Sequence, residues 1–67
     1  MALVKIRELI GTSSESFDDA LKQVINHELK KEKNVTGVKI VAQSVAIENG
    51  EIKEYKVNVK VAYKWEE

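Results

Sequence analysis

The side chains with the clearest capacity for chemistry are three carboxylates near one predicted helix start. Glu15, Asp18 and Asp19 fall within five residues, a spacing that suits acid–base catalysis or a cation site. The same residues follow a run of hydroxyl side chains, where negative charge favours the positive end of a helix dipole. We interpret these carboxylates as helix-start charge and assign them no catalytic role.

His27 is the only histidine, and the chain has no cysteine. Beside Glu28 it could serve as a base or a metal ligand, but both roles need partner residues that the sequence does not offer. The serines at 13, 14 and 16 lie roughly two helical turns or more from His27. We therefore predict a solvated His27, serines that cap the helix, and a protein that is not an enzyme.

The basic run Lys30–Lys33 could contact phosphate or RNA, but Glu28 and Glu32 interleave with it. Lysine and arginine number 11, aspartate and glutamate also number 11, and the formal net charge is zero. Such a chain has no positive field to attract nucleic acid or an anionic membrane. We interpret the run as a solvated helix end and predict neither partner.

These residues must be positioned by a β-α-β-β series of elements. Aliphatic and charged residues alternate from Leu3 to Ile10, which predicts a strand that Gly11 ends. Thr12 and Glu15 have capping-box spacing, and Asn34 is a suitable helix stop. The intervening apolar residues recur at helical spacing, which predicts one buried stripe: Phe17, Ala20, Leu21, Val24, Ile25 and Leu29.

A long hairpin follows the helix. Val35–Glu48 reads as a strand whose apolar parity changes after Ala42, so we expect a bulge near Gln43-Ser44. Asn49-Gly50 predicts a two-residue turn with positive φ. Strict alternation then predicts a third strand with one apolar face, formed by Tyr55, Val57, Val59, Val61, Tyr63 and Trp65.

A chain of 67 residues forms at most one domain, here spanning 1–67, and a lone domain of this size is marginally stable. Without cysteine, disulfides cannot help. Strands of about 14 residues extend roughly 45 Å, whereas the helix covers roughly 25 Å. We therefore expect Tyr63 and Trp65, at an uncovered end, to contact another subunit. The absence of a long apolar run or signal-peptide core predicts a cytoplasmic protein.

Three features together resemble the dodecin family: the segment 11–17 (GTSSESF) after a short strand, Asn34-Val35 opening the second strand, and Glu54-Tyr55 before alternating valines. The resemblance extends over nearly the whole chain. It implies an α+β subunit whose three-stranded antiparallel sheet, with a long bent hairpin, wraps one helix. It also implies a hollow homododecamer that stores or scavenges flavins such as riboflavin or FMN.

The resemblance also assigns a ligand pocket, in which this sequence departs from the family. The family's flavin-stacking tryptophan falls on Gly37, and its flavin-binding glutamine falls on Lys56. A position near the ribityl chain that is acidic in some members is Ala42. Trp65 lies at the other end of the hairpin and is expected to seal a subunit contact.

Three functions remain open from the sequence. The first is a dodecin-like shell that binds or stores small ligands other than a tryptophan-stacked flavin pair. The second is a flavin storage and scavenging protein, as in the family. The third is a purely structural shell with ions in its channels. No metal site is assigned. The one cofactor that the resemblance implies is a flavin, riboflavin or FMN, and Gly37 and Lys56 weaken that implication.

Overall fold

The computed structural model describes residues 3–65 and contains three strands and one helix. In chain order these are β1 (Leu3–Ser13), α1 (Phe17–Lys31), β2 (Val35–Glu48) and β3 (Glu51–Trp65). The sheet has the order β1-β3-β2, and both pairs of neighbouring strands are antiparallel. The predicted α+β fold with β-α-β-β order is confirmed.

The core lies between α1 and one face of the sheet. Val57, Val59 and Val61 of the central strand are fully buried there against Ala20 and Val24 of the helix. We call this side of the sheet the helix face. Because successive side chains of a strand alternate between faces, the residues between these valines point to the opposite side, which we call the outer face. The predicted alternation of β3 is confirmed.

The first strand extends past Gly11, contrary to the prediction that Gly11 ends it. Gly11 pairs with Val57, and the strand continues to Ser13. A Cβ atom at position 11 would lie 2.1 Å from Val24 Cγ2 and 2.7 Å from the Ala20 carbonyl oxygen. Glycine is required at this position because α1 crosses the strand in direct contact with its backbone.

The helix begins one turn later than the predicted capping box of Thr12 and Glu15. Ser16 is the N-cap, and its hydroxyl accepts a hydrogen bond from the Asp19 amide at 3.0 Å. The Ser13 hydroxyl donates to Asp19 Oδ2 at 2.6 Å and accepts from the Glu15 amide at 2.9 Å. The bond from Ser13, followed by one from Gln23, lowers the pKa of the Asp19 carboxyl group. The prediction that Asp19 lies at the start of the helix is thus confirmed. Its carboxylate accepts hydrogen bonds from Ser13 and Gln23.

The second strand carries register shifts at three points, between Val35 and Gly37, between Ile40 and Ala42, and between Ala46 and Ile47. The predicted bulge exists but precedes the expected Gln43-Ser44. Because the extra residue is Val41, Ala42 pairs with Asn58 on the outer face. The sequence pattern had indicated that Ala42 shares a face with Val38 and Ile40, and this prediction is wrong.

The hairpin turn has the predicted backbone, with φ of 55° at Asn49 and 75° at Gly50. The turn end of the hairpin extends beyond the helix, and the described residues span 51 Å in the longest dimension. Val45, Ile47 and Ile52 remain exposed at this end.

The opposite end differs from the prediction. Tyr63 is buried because its ring packs in the core and its hydroxyl contacts Glu28 of α1. Tyr63 and Trp65 were both expected to contact another subunit, but only Trp65 remains exposed.

Candidate functional site

The outer face of the sheet, which the helix does not cover, carries several exposed apolar side chains of β1. Val4, Ile6 and Ile10 of β1 are 60%, 58% and 63% exposed. They alternate along the strand with residues that point toward the helix. Groups of exposed large apolar side chains often mark a contact with a partner or a ligand. This face is therefore the candidate functional surface.

A hollow lies on this face around Gly37. The strand register places Ile6, Ala62 and Gly37 in one row across β1, β3 and β2. No atom lies within 4 Å of the position that a Cβ atom of residue 37 would occupy. The hollow has a volume of about 620 Å³, and its lining consists of Ile6, Gly37, Val38, Lys39, Lys60 and Ala62. Its size suits a small organic molecule.

Two lysines border the hollow in the next row of the sheet. Lys60 lies between Glu8 of β1 and Lys39 of β2 in the register. Among residues 3–65, neither lysine has a carboxylate within 4.0 Å. Like charges directly opposite each other in an antiparallel pair repel, so this edge of the hollow is electropositive.

Ala42 and Lys56, the other two positions assigned by resemblance, lie further along the same face. Ala42 is opposite Asn58, and Lys56 is opposite Ser44. Asn58 is partly buried, and its Oδ1 atom has no hydrogen-bond partner. The outer face thus offers an unsatisfied amide acceptor beside Ala42.

Gly37 and Lys56 do not meet within one chain. Gly37 is opposite Ala62, which lies six residues from Lys56 along β3, a separation of roughly 20 Å. Within one chain, therefore, only Gly37 of the three predicted positions lines the hollow. A site that uses Gly37 and Lys56 together requires the contact of two subunits.

The exposed Trp65 belongs to a different cleft, near the end of the sheet where β1 begins. The Lys5 ammonium lies 4.9 Å from the centroid of its ring, a cation–π contact. Arg7, Tyr63 and Lys64 are among the residues lining this cleft of about 300 Å³. The prediction that Trp65 lies at the other end of the hairpin is wrong, because Gly37 pairs with Ala62, three residues before Trp65. Ile6 lines both the cleft and the hollow. Trp65 alternates in phase with Val61 and Tyr63, so it lies on the helix face of β3, whereas Gly37 lies on the outer face.

A buried carboxyl group lies under α1. Glu28 is 1% exposed; Tyr63 Oη donates a hydrogen bond to its Oε1 at 2.5 Å, and the Arg7 guanidinium lies 3.7 Å from the same oxygen. Burial, followed by the bond to Glu28, raises the pKa of Tyr63 to about 12. The His27 side chain is 71% exposed, which confirms the prediction of a solvated residue. Glu28 follows Ala20 and Val24 at four-residue spacing on the buried side of α1. The predicted buried stripe was wrong at Leu29, which is 55% exposed.

Sequence reasoning missed Lys39, Lys60 and Ala62. The alternation of β3 already placed Lys60 and Ala62 on the face of Lys56, which was an available signal. Their relation to Gly37 and Lys39 depends on the register between β2 and β3, and two register shifts flank this part of β2. No pattern within β2 alone locates those shifts.

Other site types have little support among the described residues. Between Leu3 and Trp65, no group of three or more His, Cys, Asp or Glu side chains could hold a metal ion. Over the same residues, no helix has the length and apolar character needed to cross a bilayer.

The chain is thus a small α+β protein of β-α-β-β order whose helix covers one sheet face, while the other face carries an open hollow. The family model "Dodecin" matches residues 3–66. The chain belongs to the Dodecin family, as its sequence features indicated.

Solved structures agree with this assignment. A variant of the Thermus thermophilus dodecin is 25% identical, with a TM-score of 0.91 and complete coverage of both chains. The Streptomyces coelicolor dodecin is 20% identical, with a TM-score of 0.92 and coverage of 98% of this chain and 94% of that one.

A more distant structure shares the fold. The calcium dodecin of Mycobacterium tuberculosis, described as having a calcium-binding site, is 22% identical, with a TM-score of 0.84 and coverage of 96% and 91%. A search of curated proteins found no match.

Proposed function

We propose that the protein is a non-catalytic, hollow homo-oligomer of twelve chains that binds or stores small ligands in the cytoplasm. The observation that carries this proposal is the hollow of about 620 Å³ on the sheet face that the helix does not cover. Membership of the Dodecin family supports it. Assembly would cover much of the exposed apolar surface and leave the hollow as an enclosed pocket.

In this proposal, Gly37, Ala42 and Lys56 belong to the ligand pocket. Gly37 provides open space, since a Cβ atom at this position would have no atom within 4 Å other than those of its chain neighbours. Lys56 is half-buried between Thr12 and Ser44 and would reach the Gly37 region of a neighbouring subunit. Ala42 leaves room beside Asn58.

Tight binding of a tryptophan-stacked flavin is not part of the proposal. Glycine at position 37 has no aromatic surface, and stacking contributes about 0.5–1.5 kcal/mol beyond the burial of area. Lysine at position 56 has three donors and no acceptor, whereas glutamine can both donate and accept. A neutral flavin therefore loses its stacking partner and the glutamine hydrogen bonds to the polar edge of its ring system.

Riboflavin titration followed by fluorescence quenching tests this assignment. We expect weak or undetectable quenching by the wild-type assembly, because no indole lies at position 37. The double variant Gly37→Trp, Lys56→Gln should recover part of the binding, since it restores the stacking and hydrogen-bonding groups together.

A matched control places the new indole elsewhere on the same strand, in Val41→Trp, Lys56→Gln. Val41 is exposed at the bulge, so its replacement adds a tryptophan without filling the hollow. Strong quenching by the wild type would contradict the assignment of Gly37. If the control recovered riboflavin binding to the same extent, an exposed indole at any position would be sufficient for quenching, and position 37 would have no special role.

A further inference from the structure

The hollow around Gly37 combines an apolar floor with an electropositive edge. Ile6, Ala62 and Gly37 form its apolar row, and Lys60 and Lys39 form the adjacent row. The two kinds of surface lie side by side within one cavity. A ligand that matches both needs an apolar body and a charged group at one end.

The charge of that group follows from the two lysines. They are directly opposite each other in the antiparallel pair, where like charges are destabilising. Glu8 flanks Lys60 on the other side but forms no ion pair with it among residues 3–65. The row therefore keeps an excess positive charge, and an anion between Lys39 and Lys60 would relieve their repulsion.

We propose that the hollow selects small anionic molecules with an aromatic or aliphatic body, whose carboxylate, sulfonate or phosphate group is bound by Lys39 and Lys60. This inference rests on the proposed ligand-binding function and names its ligand class. The apolar body contacts Gly37, Ala62 and Ile6. The absence of a side chain at position 37 leaves a flat molecule room to lie against the sheet.

Two fluorescent probes with the same aromatic body test the proposal. Anilinonaphthalene sulfonate is anionic, and N-phenylnaphthylamine is its neutral counterpart. Each is titrated into the native assembly, whose size is followed by light scattering in the same samples. We expect the anionic probe to bind at least about tenfold more tightly, because charge-assisted hydrogen bonds exceed neutral ones. Added salt should reduce this preference.

The variant Lys39→Gln, Lys60→Gln should lose at least about tenfold in affinity for the anionic probe and retain affinity for the neutral probe. Its control is Lys22→Gln, Lys33→Gln, which removes the same charge from exposed positions outside the sheet. The control should bind both probes as the wild type does. An equal loss in both variants would show that net charge, not the lysine pair, determines binding.

Filling the hollow separates this inference from the function on which it rests. Ala62→Leu should abolish binding of both probes, since the added side chain occupies the apolar row. If Ala62→Leu blocks both probes but the wild type binds them equally, ligand binding stands and anion selection is wrong. If neither probe binds, or Ala62→Leu has no effect while the assembly is intact, the proposed ligand pocket itself is wrong.

Discussion

Glu28 illustrates how strongly single residues depend on their partners in this small fold. Its side chain is 1% exposed, and its Oε2 atom has no hydrogen-bond partner. Burial of such a group is costly unless it is hydrogen-bonded or paired with a charge. Tyr63 and Arg7 provide those interactions through the other carboxylate oxygen. The contact joins the end of α1 to the central strand.

Replacing Tyr63 with phenylalanine should destabilise the protein at neutral pH by about 1–3 kcal/mol, since Glu28 then loses its hydrogen-bond donor. Chemical denaturation at a fixed protein concentration measures the change. Tyr55→Phe is the matched control, because the Tyr55 ring contacts Phe17 edge-on at 5.1 Å and that contact survives the loss of the hydroxyl.

The pH dependence of the same variant follows from the raised pKa of Tyr63. Its value is about 12 in the fold, against 10.0 for an unperturbed tyrosine. The fold favours the protonated Tyr63 hydroxyl group. The contribution of this group to the free energy of unfolding is therefore fully present below pH 10 and is lost as the pH rises through 12. The stability difference between the wild type and Tyr63→Phe should shrink over this range. A constant difference would contradict the role of the Tyr63 hydroxyl.

At the scale of elements, the packing of α1 on β1 depends on the missing side chain of Gly11. The helix approaches the strand so closely that a Cβ atom would overlap both a side chain and a backbone carbonyl of α1. The backbone carbonyl cannot rotate away as a flexible side chain could. Any residue larger than glycine therefore forces the helix off the sheet.

Gly11→Ala should lower the stability by at least about 2 kcal/mol, as expected for overpacking in a close-packed interior. Gly37→Ala is a stringent control, because it makes the same chemical change in a strand where the new methyl group meets no atom of its own chain. Thermal melts of both variants at matched concentration measure the difference. Similar melting temperatures would show that α1 does not approach β1 as closely as described.

At the scale of the whole molecule, one chain leaves too much apolar surface in water. Ile6, Ile10 and Ile47 are each more than half exposed, and the helix covers only the other face of the sheet. Burial of apolar area contributes about 25 cal/mol per Å², so association of several chains through this face would supply stability that a monomer lacks.

If the protein forms the proposed twelve-chain assembly, light scattering should give a mass near twelve times the 7.6 kDa of one chain. Ile10→Lys should shift the protein to smaller species, because it introduces charge into the apolar outer face. Asn26→Lys adds the same charge at an exposed helix position and should leave the assembly intact. A stable wild-type monomer at micromolar concentration would refute the assembly model.

The sequence alone determined those features that depend on neighbours along the chain. Alternation in β3 revealed its buried face because side chains of a strand point to opposite sides in turn. Asn49-Gly50 predicted the hairpin because both residues tolerate positive φ. The order of the elements followed from such local signals, and the family was indicated by the resemblance of segment 11–17, Asn34-Val35 and Glu54-Tyr55 to dodecins.

Only the tertiary structure decided which residues meet across the sheet. The bulge at Val41 moved Ala42 to the outer face, and the register of β2 with β3 brought Lys39 opposite Lys60. Docking of the helix buried Tyr63 and Glu28 together. These outcomes arise from contacts between segments distant in sequence, where a shift of one residue exchanges the two faces of a strand. The parity change within β2 indicated that a bulge exists, but its position at Val41 is determined by the pairing of β2 with β3.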